Sequence, residues 1–179
     1  MNSITCVVLA SGFSRRFQGN KLLYSFKGKP LIEYALEKKY LFDEMIVVTQ
    51  YEEVKLLALK KDCRVIWNSH PEYGQSNSIQ LGIQNCHTDY CIFMVGDMPY
   101  LKDETIKKMI YKKEQSNFII CEHHGILCNP MLVHKKYYPE FLKLTGDHGA
   151  KQILKNYSYI TIPLSDLEYI DIDERSSAN

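Results

Sequence analysis

The chain of 179 residues has almost no excess charge of either sign. Lysine and arginine total 22 and aspartate and glutamate total 21, so the formal net charge is +1. Proteins that bind nucleic acid or anionic membrane surfaces usually carry a basic excess. We therefore expect no nucleic-acid partner and no membrane partner. A small anionic ligand is compatible with this balance because it needs only local positive charge.

Long apolar runs and paired cysteines are also missing. No run approaches the ~20 residues needed to cross a bilayer, and the N-terminus lacks the charged and apolar segments of a signal peptide. The six cysteines include no C-x-x-C pair, and Cys6, Cys91 and Cys121 lie inside apolar runs. Such cysteines indicate reduced core thiols rather than a disulfide framework. The sequence thus predicts a cytoplasmic protein.

The histidines do not form a recognisable metal set. His123 and His124 are adjacent, so on a strand their side chains are expected to point apart, and the other four are dispersed. No spacing argues for a Ser–His–Asp arrangement, and no redox motif is present. Any chemistry is therefore expected to come from other residues.

Short β-like runs alternate with amphipathic stretches along the chain. Strands are predicted to begin at Ile4 and to cover 45–49, 64–67, 90–95, 118–121, 131–133, 159–162 and 169–172. Helices are predicted over 31–40, 53–60, 76–85, 103–113, 136–144 and 150–156. This alternation is typical of a mostly parallel sheet with helices on both faces. No repeat, low-complexity tract or linker interrupts it, so we predict a single domain over 1–179.

The stretch after the first strand carries the strongest functional signal. Residues 4–21 read ITCVVLASGFSRRFQGNK. Small residues at the end of a strand let a ligand approach the backbone, and consecutive N–H groups in such a turn can bind phosphate oxygens. Arg15, Arg16 and Lys21 add positive charge there. The stretch predicts a nucleotide site, although it is neither G-x-x-x-x-G-K-[ST] nor G-x-G-x-x-G.

This loop resembles the signature L-A-[AG]-G-x-S-x-R-M-G-x-x-K of the molybdenum-cofactor nucleotidyltransferases. The matching residues are Leu9, Ala10, Gly12, Ser14, Arg16 and Lys21, whereas Ser11, Phe17 and Gln18 replace the usual residues. A second signature of that family, G-D-M-P, is matched by residues 96–99. Without the family, Asp97 would be equally explained as a turn former. The resemblance implies that Asp97 holds Mg²⁺ beyond the end of a central strand.

Three looser segments extend the resemblance over nearly the whole chain. Residues 68–78 resemble a segment that contacts the base, which implies roles for Gly74 and Ser78. Two further segments imply a pocket for a pterin-containing second substrate, lined by Asn129, Pro130, Gly146, Asp147 and Lys151. In that pocket Cys128 replaces a usual Gly, and Lys151 replaces an Arg, so a bidentate fork becomes a point charge. Asp173 matches a second metal ligand, but residues 174–177 depart from the family's T-P-E-D.

The resemblance implies a three-layer α/β/α sandwich with a Rossmann-like sheet, of the nucleotide-diphospho-sugar transferase type. It implies a Mg²⁺-dependent enzyme that moves a nucleoside monophosphate, most closely CMP from CTP, onto the phosphate of a molybdopterin-type cofactor and releases pyrophosphate. The implied catalytic residues are Arg16, Lys21 and Asp97. The implied nucleotide-binding residues are Leu9, Ala10, Ser11, Gly12, Arg16, Lys21, Gly74 and Ser78.

The expected protein is a monomer, with a molybdoenzyme as a possible receiver of its product. Two alternatives stay open at this stage. The first is the same chemistry with GTP, or with a sugar or alcohol phosphate as acceptor. The second is a non-catalytic nucleotide-binding accessory protein for molybdoenzyme maturation, which the altered residues 16–18 and the short C-terminal segment favour.

Overall fold

A computed structural model describes residues 3–15, 17, 19–147, 149–170 and 172, and every structural statement below concerns this part of the chain. Its strands are β1 (Ile4–Ala10), β2 (Ser25–Phe26), β3 (Lys29–Pro30), β4 (Glu44–Thr49), β5 (Arg64–Trp67), β6 (Tyr90–Val95), β7 (Phe118–His123), β8 (Ile126–His134) and β9 (Ile160–Pro163). Its α-helices are α1 (Glu33–Leu36), α2 (Glu52–Lys60), α3 (Gln75–Gln84), α4 (Asp103–Tyr111), α5 (Tyr138–Phe141) and α6 (Asp166–Tyr169). Short 3₁₀ helices cover Lys21–Leu23, Glu37–Leu41, Pro71–Tyr73, Lys135–Tyr137 and Ala150–Asn156.

The main sheet has seven strands in the order β5-β4-β1-β6-β8-β7-β9, and β2 and β3 form a separate small ribbon. Neighbouring strands are parallel except around β8, which is antiparallel to both β6 and β7. Helices pack on both faces of this sheet. The predicted fold class, a three-layer sandwich with a mostly parallel sheet, is confirmed.

The two faces of the sheet have separate hydrophobic cores. Along β1, Cys6 and Val8 face the core that contains residues of α1, α2 and α4, and Val7 faces the core that contains α3 and α5. The alternation follows from the two-residue period of a strand. Gly82 lets α3 approach closely, since a Cβ there would lie 2.4 Å from Cγ1 of Val7.

The order of the strands creates a crevice beside β1. The chain leaves β1 toward β4 and β5 on one side, then crosses by α3 to β6 on the other side. In open α/β sheets ligands bind where the strand order reverses in this way, beyond the carboxyl ends of the strands. The loops after β1, β5 and β6 meet at this place.

Two local predictions are wrong. The strand predicted over 169–172 is absent at its described residues: Tyr169 ends α6, which begins with a reciprocal capping box of Ser165 and Glu168, and Ile170 and Ile172 belong to no strand. Asp171 lies outside the described residues. Residues 129 and 130, expected between two strands, lie within β8, where a register shift relative to β7 leaves both unpaired. A bulge of this kind tolerates Pro130, which has no N–H to donate to a ladder.

No helix in the described ranges is both long and apolar enough to cross a membrane.

Candidate functional site

A cleft of about 600 Å³ opens at the carboxyl end of β1 and β6, and we call it the first cleft. Its floor is the end of β1 and the loop that follows. Residues from the loops after β5 and β6 and from the turn at residues 146–147 complete it. Its lining includes Leu9, Ala10, Ser11, Gly12, Phe13, Ser14, Arg15, Lys21, Gly74, Gln75, Ser78, Asp97, Gly146 and Asp147.

Three consecutive carbonyl groups of the loop after β1 are held by side chains at the end of the neighbouring strand. Thr49 Oγ1 donates to the Ala10 carbonyl at 3.0 Å, Gln50 Nε2 to that of Ser11 at 2.7 Å, and the Tyr51 hydroxyl to that of Gly12 at 2.7 Å. In a trans peptide the N–H points away from its C=O. The N–H groups of residues 11–13 are therefore directed away from β4.

Lys21, in the loop after β1, forms an ion pair with Asp97, which follows β6. Lys21 Nζ lies 2.6 Å from Asp97 Oδ2, and each side chain is 16% exposed. Ser14 Oγ accepts a hydrogen bond from the Lys21 backbone N–H at 3.4 Å. Lys21, from the loop after β1, and Asp97, from the loop after β6, thus meet in the first cleft.

The second oxygen of Asp97 is buried and has no hydrogen-bond partner among the described residues. A buried carboxylate oxygen without a donor is costly unless something binds it. The Asp97 carbonyl accepts the N–H of Ile172 at 3.1 Å, which brings the C-terminal segment beside this aspartate. The carboxylate therefore fits a hard cation such as Mg²⁺, for which oxygen is the preferred ligand.

Asn68, which is 1% exposed, connects the two segments that line the cleft opposite the β1 loop. Its Nδ2 donates to Ser78 Oγ at 3.2 Å, and its Oδ1 accepts from Asn77 Nδ2 at 2.7 Å and from the His70 N–H at 3.1 Å. The loop after β5 and the start of α3 are thereby fixed to each other. Ser78 contributes to the lining of the first cleft.

Gly74 and Gly146 join two distant parts of the chain at the rim of the first cleft. A Cβ on Gly74 would lie 2.6 Å from the Gly146 carbonyl oxygen, and Gly74 also has φ of +84°. The Gly146 carbonyl accepts the Ser76 N–H at 3.2 Å, and Asp147 Oδ1 accepts the Gln75 N–H at 3.3 Å. These contacts need glycine at position 74 for both space and backbone conformation.

A smaller cavity of about 140 Å³, the second pocket, adjoins the first cleft. Leu9 and Gln75 line both cavities. The other residues of the second pocket are Ile120, Cys128, Asn129, Met131, Gly149, Ala150 and Lys151. The bulge in β8 leaves Asn129 free of the β7 ladder, and Asn129 lines this pocket.

The second pocket contains a cationic side chain, Lys151, and a neutral thiol, Cys128. Lys151 Nζ donates to the Leu127 carbonyl at 3.4 Å. Burial raises the pKa of the Cys128 thiol to about 11, although the charge of Lys151 acts in the opposite direction. At neutral pH Cys128 is protonated, so Lys151 supplies the positive charge of this pocket for an anionic ligand.

The MobA-like NTP transferase domain family matches residues 6–161 of the chain, and this span includes both cavities. The chain belongs to this family.

Curated relatives of this MobA-like chain carry two different nucleotide specificities in their names. A molybdenum cofactor guanylyltransferase of Vibrio atlanticus is 27% identical over 94% of this chain and 84% of its own. A molybdenum cofactor cytidylyltransferase of Escherichia coli is 25% identical over 97% of this chain and 92% of its own. The transferred nucleotide is not distinguished by these similarities.

A solved structure shares the fold of the MobA-like domain. It is the manganese complex of Rv0371c from Mycobacterium tuberculosis, with a TM-score of 0.81 and 18% identity. The match covers 98% of this chain and 95% of that one. At this identity the similarity concerns the fold alone.

The residues predicted for the two substrates are divided between the cavities as follows. The first cleft contains all described residues predicted to bind nucleotide: Leu9, Ala10, Ser11, Gly12, Lys21, Gly74 and Ser78. Gly146 and Asp147, predicted for the second substrate, line the first cleft instead, because they pack against Gly74 and Gln75. Asn129 and Lys151 line the second pocket. Pro130 is buried and lines neither cavity. Arg16 and Asp173 lie outside the described residues.

Thr49, Gln50 and Tyr51 were missed by the sequence analysis. Their contacts depend on the parallel register of β1 and β4, which places Ala10 beside Thr49. A polar triplet at the end of a predicted strand was the available signal. It did not show which backbone groups the triplet would bind.

Proposed function

We propose that this chain is a Mg²⁺-dependent nucleotidyltransferase that moves CMP from CTP onto the phosphate of a molybdopterin-type cofactor. The observation that carries the proposal is the pair of adjoining cavities. A larger cleft with an oriented loop, a lysine and a half-buried carboxylate shares Leu9 and Gln75 with a smaller pocket that holds another lysine. This arrangement suits a reaction that joins a nucleotide to a second anionic substrate.

In the proposed reaction the triphosphate lies in the first cleft against the loop after β1. The N–H groups of residues 11–13, turned away from β4 by the carbonyl contacts, donate to phosphate oxygens. Lys21 adds a positive charge within reach of the same oxygens. Arg15, which also lines the cleft, and Arg16 are proposed to contribute further charge.

The Mg²⁺ of the proposal would be held by Asp97, with Asp173 as a second candidate ligand. Asp97 fits because its Oδ1 is buried without a donor among the described residues. Asp173 directly follows Ile172, whose N–H binds the Asp97 carbonyl. When bound, the ion would offset the negative charge of the phosphates. A manganese complex is known for the structural relative from M. tuberculosis, which is compatible with a divalent ion in this fold.

The acceptor phosphate is proposed to reach the nucleotide from the second pocket. Lys151 would bind the acceptor as a point charge, and Asn129 would orient it by hydrogen bonds. An oxygen of the acceptor phosphate attacks the α-phosphorus. The bond between the α-phosphorus and the oxygen bridging to the β-phosphorus breaks, and pyrophosphate leaves. Positioning and charge stabilisation supply the rate enhancement, because no covalent intermediate with the protein is needed.

The preference for CTP is the finer part of the proposal and depends on Ser11, where the guanylyl branch of the family usually has glycine. The Ser11 hydroxyl donates to the Val48 carbonyl at 3.1 Å, so this side chain is held against β4. Compared with glycine, the serine adds side-chain volume beside the cleft, and its engaged hydroxyl offers the base no free donor. GMP transfer from GTP is the second candidate, because the Vibrio relative is named a guanylyltransferase.

Turnover with each nucleotide tests the proposal. Purified protein is incubated with molybdopterin-type cofactor, Mg²⁺ and CTP, GTP, ATP or UTP in turn, and pyrophosphate and the dinucleotide product are measured. We expect release with CTP well above the others. A preference for GTP would contradict CMP transfer and support the second candidate, GMP transfer from GTP. Nucleotide binding without pyrophosphate release from any of the four would contradict catalysis and support an accessory protein.

The proposal extends to the setting of the enzyme. We propose that it acts as a cytoplasmic monomer and passes its product to a molybdoenzyme. Size-exclusion chromatography with light scattering tests the monomer. The sugar- or alcohol-phosphate alternative is tested by replacing the pterin acceptor in the same assay.

A further inference from the structure

Two histidines and an aspartate converge at the hairpin between β7 and β8. His123 is the last residue of β7, and His124 and Gly125 form the turn, with φ values of +46° and +80°. Two residues with positive φ are typical of a type I′ turn. Because the strand ends here, the alternation expected for adjacent histidines does not continue, and the two rings lie 4.2 Å apart. The expectation that these side chains point apart is wrong.

Asp166, the first residue of α6, supplies the third group. Its Oδ1 lies 3.5 Å from His123 Nε2 and 3.3 Å from His124 Nε2. All three candidate ligand atoms lie within 4.8 Å of one another. Two ring nitrogens and one carboxylate oxygen thus converge at a single location.

The separations suit a tetrahedral ion. His124 Nε2 and Asp166 Oδ1, 3.3 Å apart, are also within reach of a long hydrogen bond. Ligands about 2.1 Å from a tetrahedral Zn²⁺ are roughly 3.4 Å from each other. The two nitrogen–oxygen distances are close to this value.

The surroundings of His123 resemble the support of a metal-binding histidine. Its Nδ1 lies 3.3 Å from the Leu164 carbonyl, which can only accept a hydrogen bond. Such a partner keeps the proton on Nδ1 and leaves the Nε2 lone pair available for an ion. Tyr169 stacks on the ring at 4.2 Å and restrains its orientation. His123 is therefore a preorganised ligand.

The exposure of the three groups leaves room for further ligands. The His123 side chain is 12% exposed, whereas His124 and Asp166 are 79% and 89% exposed. An ion here would be open to water on one side.

The cluster is separate from the catalytic carboxylate. Asp97 follows β6, and His123 ends β7, with β8 between these two strands. Strands two places apart in a sheet are about 10 Å from each other. Neither histidine lines either cavity.

We propose that His123, His124 and Asp166 bind one divalent transition-metal ion of the Zn²⁺ class, with water completing the coordination. The ion joins the β7–β8 hairpin to α6, and so to the segment that leads to Ile172 beside Asp97. Imidazole nitrogens select such an ion over Mg²⁺ or Ca²⁺, which prefer oxygen ligands.

Calorimetric titration of Zn²⁺ into tag-free, EDTA-treated protein without nucleotide tests the site. We expect one bound ion, and a loss of affinity of at least ~10-fold in His124→Ala and in Asp166→Ala. His87→Ala, which removes another exposed histidine, is the matched control and should bind Zn²⁺ like the unmodified protein. Asp97→Asn should also keep the ion, since the catalytic carboxylate is not part of this site.

Histidine ring spectra give a second readout that does not depend on activity. ¹H–¹⁵N correlation of the imidazoles should show His123 with its proton on Nδ1 and a Zn²⁺-dependent shift at Nε2. The proposal would be overturned if the unmodified protein took up no Zn²⁺, or if His124→Ala and Asp166→Ala bound Zn²⁺ as tightly as the unmodified protein does. Loss of uptake in Asp97→Asn would overturn it as well.

Discussion

The first cleft and the second pocket are built in different ways. The first cleft lies where parallel strands end, and the β1 loop within it is fixed by three side chains at and directly after the end of β4. The second pocket is formed beside an antiparallel strand, where a bulge in β8 displaces Asn129 from the ladder. Cys128 and Lys151, both departures from the family pattern, lie in the second pocket. The first cleft is thus held by side chains at the end of a parallel strand, whereas the second pocket depends on an irregularity in an antiparallel strand.

The largest expected effect is at Asp97 in the first cleft. Asp97→Asn should lower turnover at least ~100-fold, because it removes the carboxylate on which the proposed charge stabilisation depends. Steady-state pyrophosphate release measures the loss. The loss of turnover should be the same whichever substrate is varied, since Asp97 acts on the transferred phosphate.

Asp89→Asn is the matched control, because it lies at the opposite end of the same strand. Its ion pair with Lys135 also measures 2.6 Å, but it lies far from both cavities. We expect Asp89→Asn to leave turnover unchanged. Equal losses in both variants would mean that the effect of Asp97 is structural.

The contact between the two parts of the chain at Gly74 should be sensitive to added volume. Gly74→Ala forces a Cβ to within 2.6 Å of the Gly146 carbonyl, and we expect a loss of about 1–3 kcal/mol in the free energy of unfolding. Urea denaturation measures it.

Gly28→Ala separates crowding from backbone strain. Gly28 has φ of +90°, close to that of Gly74, but apart from its chain neighbours no atom of the described residues lies within 4 Å of its Cβ position. A smaller loss in Gly28→Ala is expected. Indistinguishable losses would assign the whole effect to the left-handed conformation.

Lys151 tests the second pocket alone. Lys151→Ala should raise the KM for the acceptor about tenfold, as expected for one lost charge-assisted contact of about 1.4 kcal/mol, while the KM for the nucleotide stays unchanged. Varying each substrate at saturating concentration of the other measures both constants. Lys151→Arg, which restores the family residue, should bind the acceptor at least as well as lysine does. A change confined to the nucleotide KM would contradict the assignment of the two cavities.

The smallest expected effect is at the side chains that hold the β1 loop. Tyr51→Phe removes the hydrogen bond to the Gly12 carbonyl and should raise the Kd for the nucleotide about 3–10-fold, corresponding to roughly 0.7–1.4 kcal/mol. Tyr111→Phe, at a tyrosine that is 83% exposed, is the control and should leave the Kd unchanged. Unaltered binding in Tyr51→Phe would show that the loop is rigid without this contact.

Features carried by contiguous sequence were predictable, and features that depend on strand pairing were not. Lys21 and Asp97 follow strand ends within short motifs, and the structure brings them together. The contacts of Thr49 and Tyr51 require the register between β1 and β4, and the position of Asn129 requires the bulge. Long-range pairing of this kind has no local signature.

The histidine pair and α6 illustrate two further limits. Alternation along a strand was extended past its last residue, His123, into a turn where it does not apply. At α6 a usable signal was present, since Ser165 followed three residues later by Glu168 is the pattern of a capping box. The apolar residues of 169–172 were given more weight than that cap.

The wall that Leu9 and Gln75 provide to both cavities has a kinetic consequence under the proposed function. A product that joins nucleotide and acceptor would occupy both cavities at once, so both of its halves must detach before it can leave. Each half, while bound, holds the other at a high effective concentration. Dissociation of the product, rather than bond formation, would then limit the catalytic cycle. A receiving protein that captures one exposed half would accelerate the enzyme without touching its catalytic residues.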